Sequence, residues 1–135
     1  MAALFARAIA MNARESIVVL VAVSGLAAGR VAAQDAAQIE RGRASYEYWC
    51  APCHGPGIGN NGVQHLPGTD ALRVKYRGAL PALLTERTDM SPDLVKTYVR
   101  QGITVMPFFR KTEIDDGELG AIVAYLTRNN PRPAR

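Results

Sequence analysis

The chain is short of several residue types that would have decided its class at once. Among 135 residues there are two cysteines, two histidines and one tryptophan. No second cysteine pair is present, so a Cys-rich zinc site has only the two histidines to complete it. No apolar stretch reaches the ~20 residues that a spanning helix needs. The uncharged run Ser16 to Gly29 stops at 14 residues. Strand-like alternation of useful length is missing, and no internal repeat occurs, which removes sheet-based and solenoid architectures. There is no basic run interleaved with aromatics, so nucleic acid is not indicated as a partner. The net charge of +4 does not argue otherwise, because Arg7, Arg14 and Arg30 all fall in the first 33 residues.

What is present is concentrated in Cys50-Ala51-Pro52-Cys53-His54. Two cysteines three apart, followed at once by histidine, are the attachment signature of c-type haem. The spacing has a chemical reason. Each thiol adds across one porphyrin vinyl group, and the next imidazole is held beneath the iron as an axial ligand. A thioredoxin-type redox pair would need a βαβ setting, which the pattern does not offer. A disulfide across so small a loop would stabilise little.

The first third of the chain reads as an export signal. Arg7 and Arg14 precede the apolar run, and Val31-Ala32-Ala33 suits signal peptidase. Residues 1–33 are therefore expected to be a cleaved signal peptide, with Met1 or Met11 as the start, and 34–135 the functional domain. Export to the periplasm agrees with the pentapeptide, since c-type haem is attached outside the cytoplasm. A domain of this size has a thin core, and a covalent porphyrin would supply apolar surface to bury against.

Beyond Gln34 the expected fold is all-α: four or five short helices joined by long loops. Gln34 to Gln38 reads as a frayed start, followed by a helix from Ile39 to Trp49. Gly42 on its apolar stripe suggests that another helix crosses close by. Gly55 to Gly62 is a loop of turn residues, closed by His65 to Gly68. Thr69 or Asp70 could cap a helix from Ala71 to Arg77, with Gly78 past its end. Pro81 could open a turn through Leu84. Ser91-Pro92-Asp93 is a helix start, with a stripe of Leu94, Val95, Tyr98 and Val99 and an end at Gly102. Asp115 with Glu118 starts the last helix, which buries Leu119, Ile122, Val123, Tyr125 and Leu126; Asn129 to Arg135 is a tail. Loops this long are costly to order, an objection that an enclosed cofactor removes.

An iron held by His54 leaves a sixth position. Met106, in Val105-Met106-Pro107-Phe108-Phe109, is the favoured ligand over Met90 and His65. Pro107 stiffens its backbone and the phenylalanines suit a porphyrin edge. His/Met ligation raises the reduction potential, and a six-coordinate iron transfers electrons without binding substrate. The other ring nitrogen of His54 would be expected to donate to an oxygen, with the Pro67 carbonyl as candidate.

With these residues placed, the region after Gln34 resembles a class I monohaem cytochrome c, on the Gly42, Tyr46, Cys50 spacing, the late Met106-Pro107 pair and the closing helix Leu119 to Leu126. The resemblance implies one covalent haem c on Cys50, Cys53, His54 and Met106, and first and last helices that cross near Gly42. The stretches Pro67-Gly68-Thr69, Lys75-Tyr76-Arg77-Gly78, Glu86-Arg87-Thr88-Asp89 and Phe109 to Ile114 are similar to the cytochrome subunits of p-cresol methylhydroxylase and of related 4-alkylphenol and eugenol hydroxylases. That likeness implies a partner flavoprotein carrying FAD, which oxidises the phenol and passes electrons singly to the cytochrome. From there they would go to a periplasmic acceptor such as a blue-copper protein or another cytochrome. The docking patch would lie around Ala51, Val105, Met106 and Phe108. A free-standing periplasmic shuttle keeps the same site residues and changes only the partner.

Overall fold

Residues 35–131 are described in the computed structural model of the protein. The expected signal peptide and the last four residues of the expected tail lie outside them. Helix α1 covers residues 35–49, so the expected frayed start at 35–38 is helical. Ala36 and Ala37 have the highest helix propensity. A four-residue helix α2 follows at Ala51–His54.

Helix α3 runs over Pro67–Tyr76, four residues earlier at its start than the expected Ala71. Proline at the first helical position, after extended Leu66, opens it. Thr69 is not a cap. It is buried, and its hydroxyl donates to the Gly55 carbonyl at 2.9 Å. The helix ends on Arg77 in a left-handed conformation (φ 49°), not at Gly78. The turn expected after Pro81 forms slightly later, as a 3₁₀ turn at Leu84–Glu86.

The last two helices form as the sequence indicates. Helix α4, Pro92–Gln101, is capped by the Ser91 side chain, which accepts from the Leu94 N–H at 3.1 Å, and it stops at Gly102. Only Val95 and Val99 of its stripe are fully buried; Leu94 is exposed. Helix α5, Asp116–Thr127, is capped by Asp115, which accepts from the Glu118 N–H at 2.7 Å. The Glu118 carboxylate accepts a hydrogen bond from the Trp49 indole N–H at 3.1 Å. Among the described residues no strand forms; Ile103 and Met106 make one isolated antiparallel bridge.

Helices α1 and α5 meet where Gly42 expects it. A Cβ added at Gly42 would stand 1.9 Å from the Ala121 carbonyl oxygen, so only glycine allows this approach. One turn further on, the Tyr46 and Tyr125 rings pack at 5.5 Å. The core beneath the crossing is built from Tyr46, Val95, Val99, Ile114, Leu119 and Ile122, with Ile114 and Ile122 wholly buried. Met90 is 5 % exposed and belongs to this core. The start of the expected tail is tied down: Asn129 donates to the Thr85 carbonyl and Asn130 to that of Met90.

Candidate functional site

The pentapeptide sits where α1 turns into α2. The Cys50 N–H still donates to the Tyr46 carbonyl at 2.9 Å, as the next rung of α1. The Cys50 carbonyl then accepts from both Cys53 N–H (3.1 Å) and His54 N–H (2.8 Å). This closes one tight turn that puts Cys50, Cys53 and His54 on a single rigid unit. Two hydroxyls hold the turn from outside. Tyr46 donates to the His54 carbonyl at 3.0 Å, and Thr69 to the Gly55 carbonyl next to it. Burial keeps the Tyr46 phenol far above its ordinary pKa, with Cys50 and Tyr125 adding to the effect, so it remains a donor. Neither hydroxyl's role leaves a mark at the level of periodicity.

The His54 ring is half-buried, and burial lowers its pKa, which favours the neutral imidazole that ligates metals. Its Nδ1 is buried without a hydrogen-bond partner. The expected Pro67 carbonyl does not fill that place. Pro67 is the first residue of α3, so its carbonyl is directed along that helix's own ladder. The imidazole lies instead against the Gly68 backbone: a Cβ there would come within 2.6 Å of Cε1 and 2.7 Å of Nδ1. Gly68 therefore makes room for the ring, a role the sequence did not disclose because the residue also reads as loop closure.

Both thiols are free, Cys50 half-buried and Cys53 exposed. The Cys50 thiol is pushed up to about 12, chiefly by burial and then by Cys53 and Glu118. A thioredoxin-type pair depends on a lowered thiol pKa, the opposite direction to that of Cys50. No group of three His, Cys, Asp or Glu placed to hold a metal ion occurs among the described residues.

Met106 comes from a separate segment. It ends a tight turn after α4: Met106 N–H donates to the Ile103 carbonyl at 2.9 Å, and Ile103 N–H to that of Met106 at 3.1 Å. Gly102 (φ 67°) and Thr104 (φ 50°) take left-handed backbone to make it, and a Cβ at Gly102 would lie 2.7 Å from the Met106 oxygen. Phe109 anchors this segment to the end of α1, its ring 5.7 Å from that of Trp49 in an edge-on contact. Met106 itself is half-buried, while Val105 is 91 % and Phe108 60 % exposed. His65 is half-buried elsewhere, on a cleft of about 450 Å³ shared with Ile58, Leu83 and Glu86.

The donor set fits a covalent haem. Two free thiols and a desolvated imidazole share one turn, Gly68 leaves space against the ring, and apolar side chains stand uncovered beside a thioether. A family model described as "Cytochrome C oxidase, cbb3-type, subunit III" matches residues 37–126. That span runs from within α1 to Leu126, a buried residue near the end of α5, and so contains the whole candidate site. No curated protein and no solved structure matches the chain.

Proposed function

The chain belongs to the family described as cytochrome c oxidase, cbb3-type, subunit III, and from that footing we propose that it is the electron-accepting cytochrome of a periplasmic flavocytochrome dehydrogenase. Membership makes it a cytochrome c domain, an electron-transfer protein that carries covalent haem c. Bound haem supplies a centre that gains and loses one electron at a time. In the reading advanced here, Cys50 and Cys53 form the thioethers, and His54 and Met106 are the axial ligands. The neutral, half-buried imidazole supports the first assignment, and the rigid turn at Met106 the second. Residues 1–33 are removed on export.

The observation that carries the partner assignment is the surface around Met106. From Gly102 to Phe109 there is no charged side chain, and Ile103, Val105 and Phe108 are all exposed. An uncharged apolar face suits a lasting complex better than brief encounters between charged surfaces. The partner is then an FAD flavoprotein oxidising a 4-alkylphenol-type substrate, and the onward acceptor a blue-copper protein or another cytochrome. Purification of the native protein from its source should yield a flavin-containing complex that reduces the haem when a 4-alkylphenol is added. Recovery of the cytochrome alone, with no flavin in any fraction that contains it, overturns this reading.

In a second reading the chain is a free-standing periplasmic shuttle with the same site residues, and the oxidase named in the family description suggests a terminal oxidase as its acceptor. That version predicts rapid oxidation of the reduced protein by membranes containing a haem–copper oxidase, with no flavoprotein attached.

A further inference from the structure

The segment that presents Met106 leaves α4 and returns to the core within a few residues, and its two limbs are fixed very differently. The outgoing limb is the helix end itself, where Gly102 N–H donates to the Tyr98 carbonyl at 2.8 Å. The returning limb starts at Pro107, which has no N–H to give. Its backbone tie to α4 is the Phe109 N–H to the Val99 carbonyl at 2.8 Å. Beside that bond stands Arg100. Its Nη1 donates to the Phe109 carbonyl at 3.0 Å and to the Ile114 carbonyl at 2.8 Å, and its Nη2 to Asp116 at 2.9 Å.

We propose that Arg100 is a positioning residue for Met106: its guanidinium clasps the returning limb of the Met106 segment to α4 and to the start of α5, and so keeps the thioether from drifting off the iron. The inference rests on Met106 as sixth ligand. A guanidinium is suited to this because its donors lie in one rigid fork, and here that fork reaches two backbone carbonyls and a carboxylate together. Lysine in its place would keep the charge and lose the fork. Asp116 is held from its other side by Lys111 at 2.6 Å, so the clasp is anchored at its far end. Ile114, whose carbonyl is one of the three acceptors, is completely buried, and the clasp therefore connects the ligand segment to the buried core.

The test compares the unmutated haem-loaded protein with Arg100→Gln, Arg100→Lys and Met106→Ala, following the thioether-to-iron absorption band and the affinity of the ferric protein for added imidazole. Arg100→Gln should bind imidazole about tenfold more tightly than the unmutated protein, as expected from the loss of charge-assisted hydrogen bonds that favour the closed segment. Arg100→Lys should fall between the two. Imidazole affinity unchanged in Arg100→Gln overturns the proposal, even if its unfolding midpoint drops, because a merely structural arginine would lower stability without exposing the iron. If Arg100→Gln yields no holoprotein, Asp116→Asn, which weakens one of the three bonds, must raise imidazole affinity; no change there overturns the proposal equally. The two levels separate cleanly. A missing band in the unmutated protein removes Met106 as ligand and the clasp's purpose with it. A band that is present, and is lost in Met106→Ala, with unchanged imidazole binding in Arg100→Gln removes only the clasp.

Discussion

At the scale of single residues, two positions carry unequal loads. Gly42 is a steric requirement. Its missing Cβ would sit 1.9 Å from a backbone oxygen of α5, and a backbone atom cannot rotate aside as a side-chain tip can. Gly42→Ala should therefore cost about 3 kcal/mol, the upper part of the range for overpacking, in denaturant unfolding of the holoprotein. A loss below about 1 kcal/mol would mean that α1 and α5 do not cross this closely. In the proposed ligation Met106 is a chemical requirement. Met106→Ala removes the one thioether in an exposed apolar segment and should abolish the thioether-to-iron band and lower the reduction potential, since a thioether ligand raises it. A redox titration matching that of the unmutated protein would assign the sixth position elsewhere. Gly42 could be read from the sequence because a glycine on a short apolar stripe has few other reasons to be there. Gly68 could not, because its neighbour in space, His54, is fourteen residues away in the chain and the contact depends on how α3 is entered.

Among the elements, legibility followed the strength of the local capping signal. Helices α4 and α5 begin where Ser91-Pro92-Asp93 and Asp115 mark them, because a cap side chain bonds its own N3 amide and needs no tertiary help. Ser91→Ala should accordingly lower stability by about 1 kcal/mol with no change in denaturant m-value, measured by urea unfolding. A neutral outcome would show that Pro92 alone holds the helix start. Helix α3 opens four residues before its expected start for a tertiary reason. Thr69 looked like a cap, but its hydroxyl is committed to the Gly55 carbonyl across the site, and the helix opens on Pro67. The same competition divides the box at α5: Asp115 caps, while the Glu118 carboxylate reaches Trp49 at the foot of α1. In each case a side chain that local rules assign to its own helix is used to tie that helix to the pentapeptide's neighbourhood. Of the site itself, Cys50, Cys53, His54 and Met106 were visible as residues with a chemistry. The hydroxyls of Tyr46 and Thr69 and the Arg100 fork were not, because hydrogen bonds to backbone carbonyls have no spacing rule.

At the scale of the molecule, several charged side chains among the described residues pair with one another. Arg43 pairs with Glu40 and Glu47, Arg73 with Asp70, Arg110 with Glu113, and Lys111 and Arg100 with Asp116. Buried Arg87 pairs with Asp89 through two bonds of 2.5 and 2.6 Å. The Asp89 carboxyl is held below its ordinary 3.8 mainly by hydrogen bonding to Arg87, and that of Asp116 by Lys111 and then Arg100. A carboxyl whose folded pKa lies below its unfolded value adds stability above the unfolded value and loses it as pH falls through the folded one. Unfolding midpoints should therefore decline as pH drops below about 3.8, and Asp89→Asn should flatten that decline. A decline of equal steepness in the variant would take Asp89 out of the account. The pairing has a second consequence, for association. Charges neutralised within the molecule project little field, and the segment from Gly102 to Phe109 has none of its own, so encounter with a partner there depends on apolar contact more than on steering. Salt screens charge and leaves apolar burial nearly untouched. Reduction of the haem-loaded protein by the flavoprotein proposed as its partner, followed by stopped flow, should then vary less than about threefold as ionic strength rises from about 0.01 M to about 0.5 M, a range over which the Debye length shrinks severalfold. Val105→Lys, which puts a charge on the most exposed residue of that face, should slow the reaction and make it salt-dependent. A fall of tenfold or more with salt in the unmutated protein would move the docking surface away from Met106 and onto a charged part of the molecule.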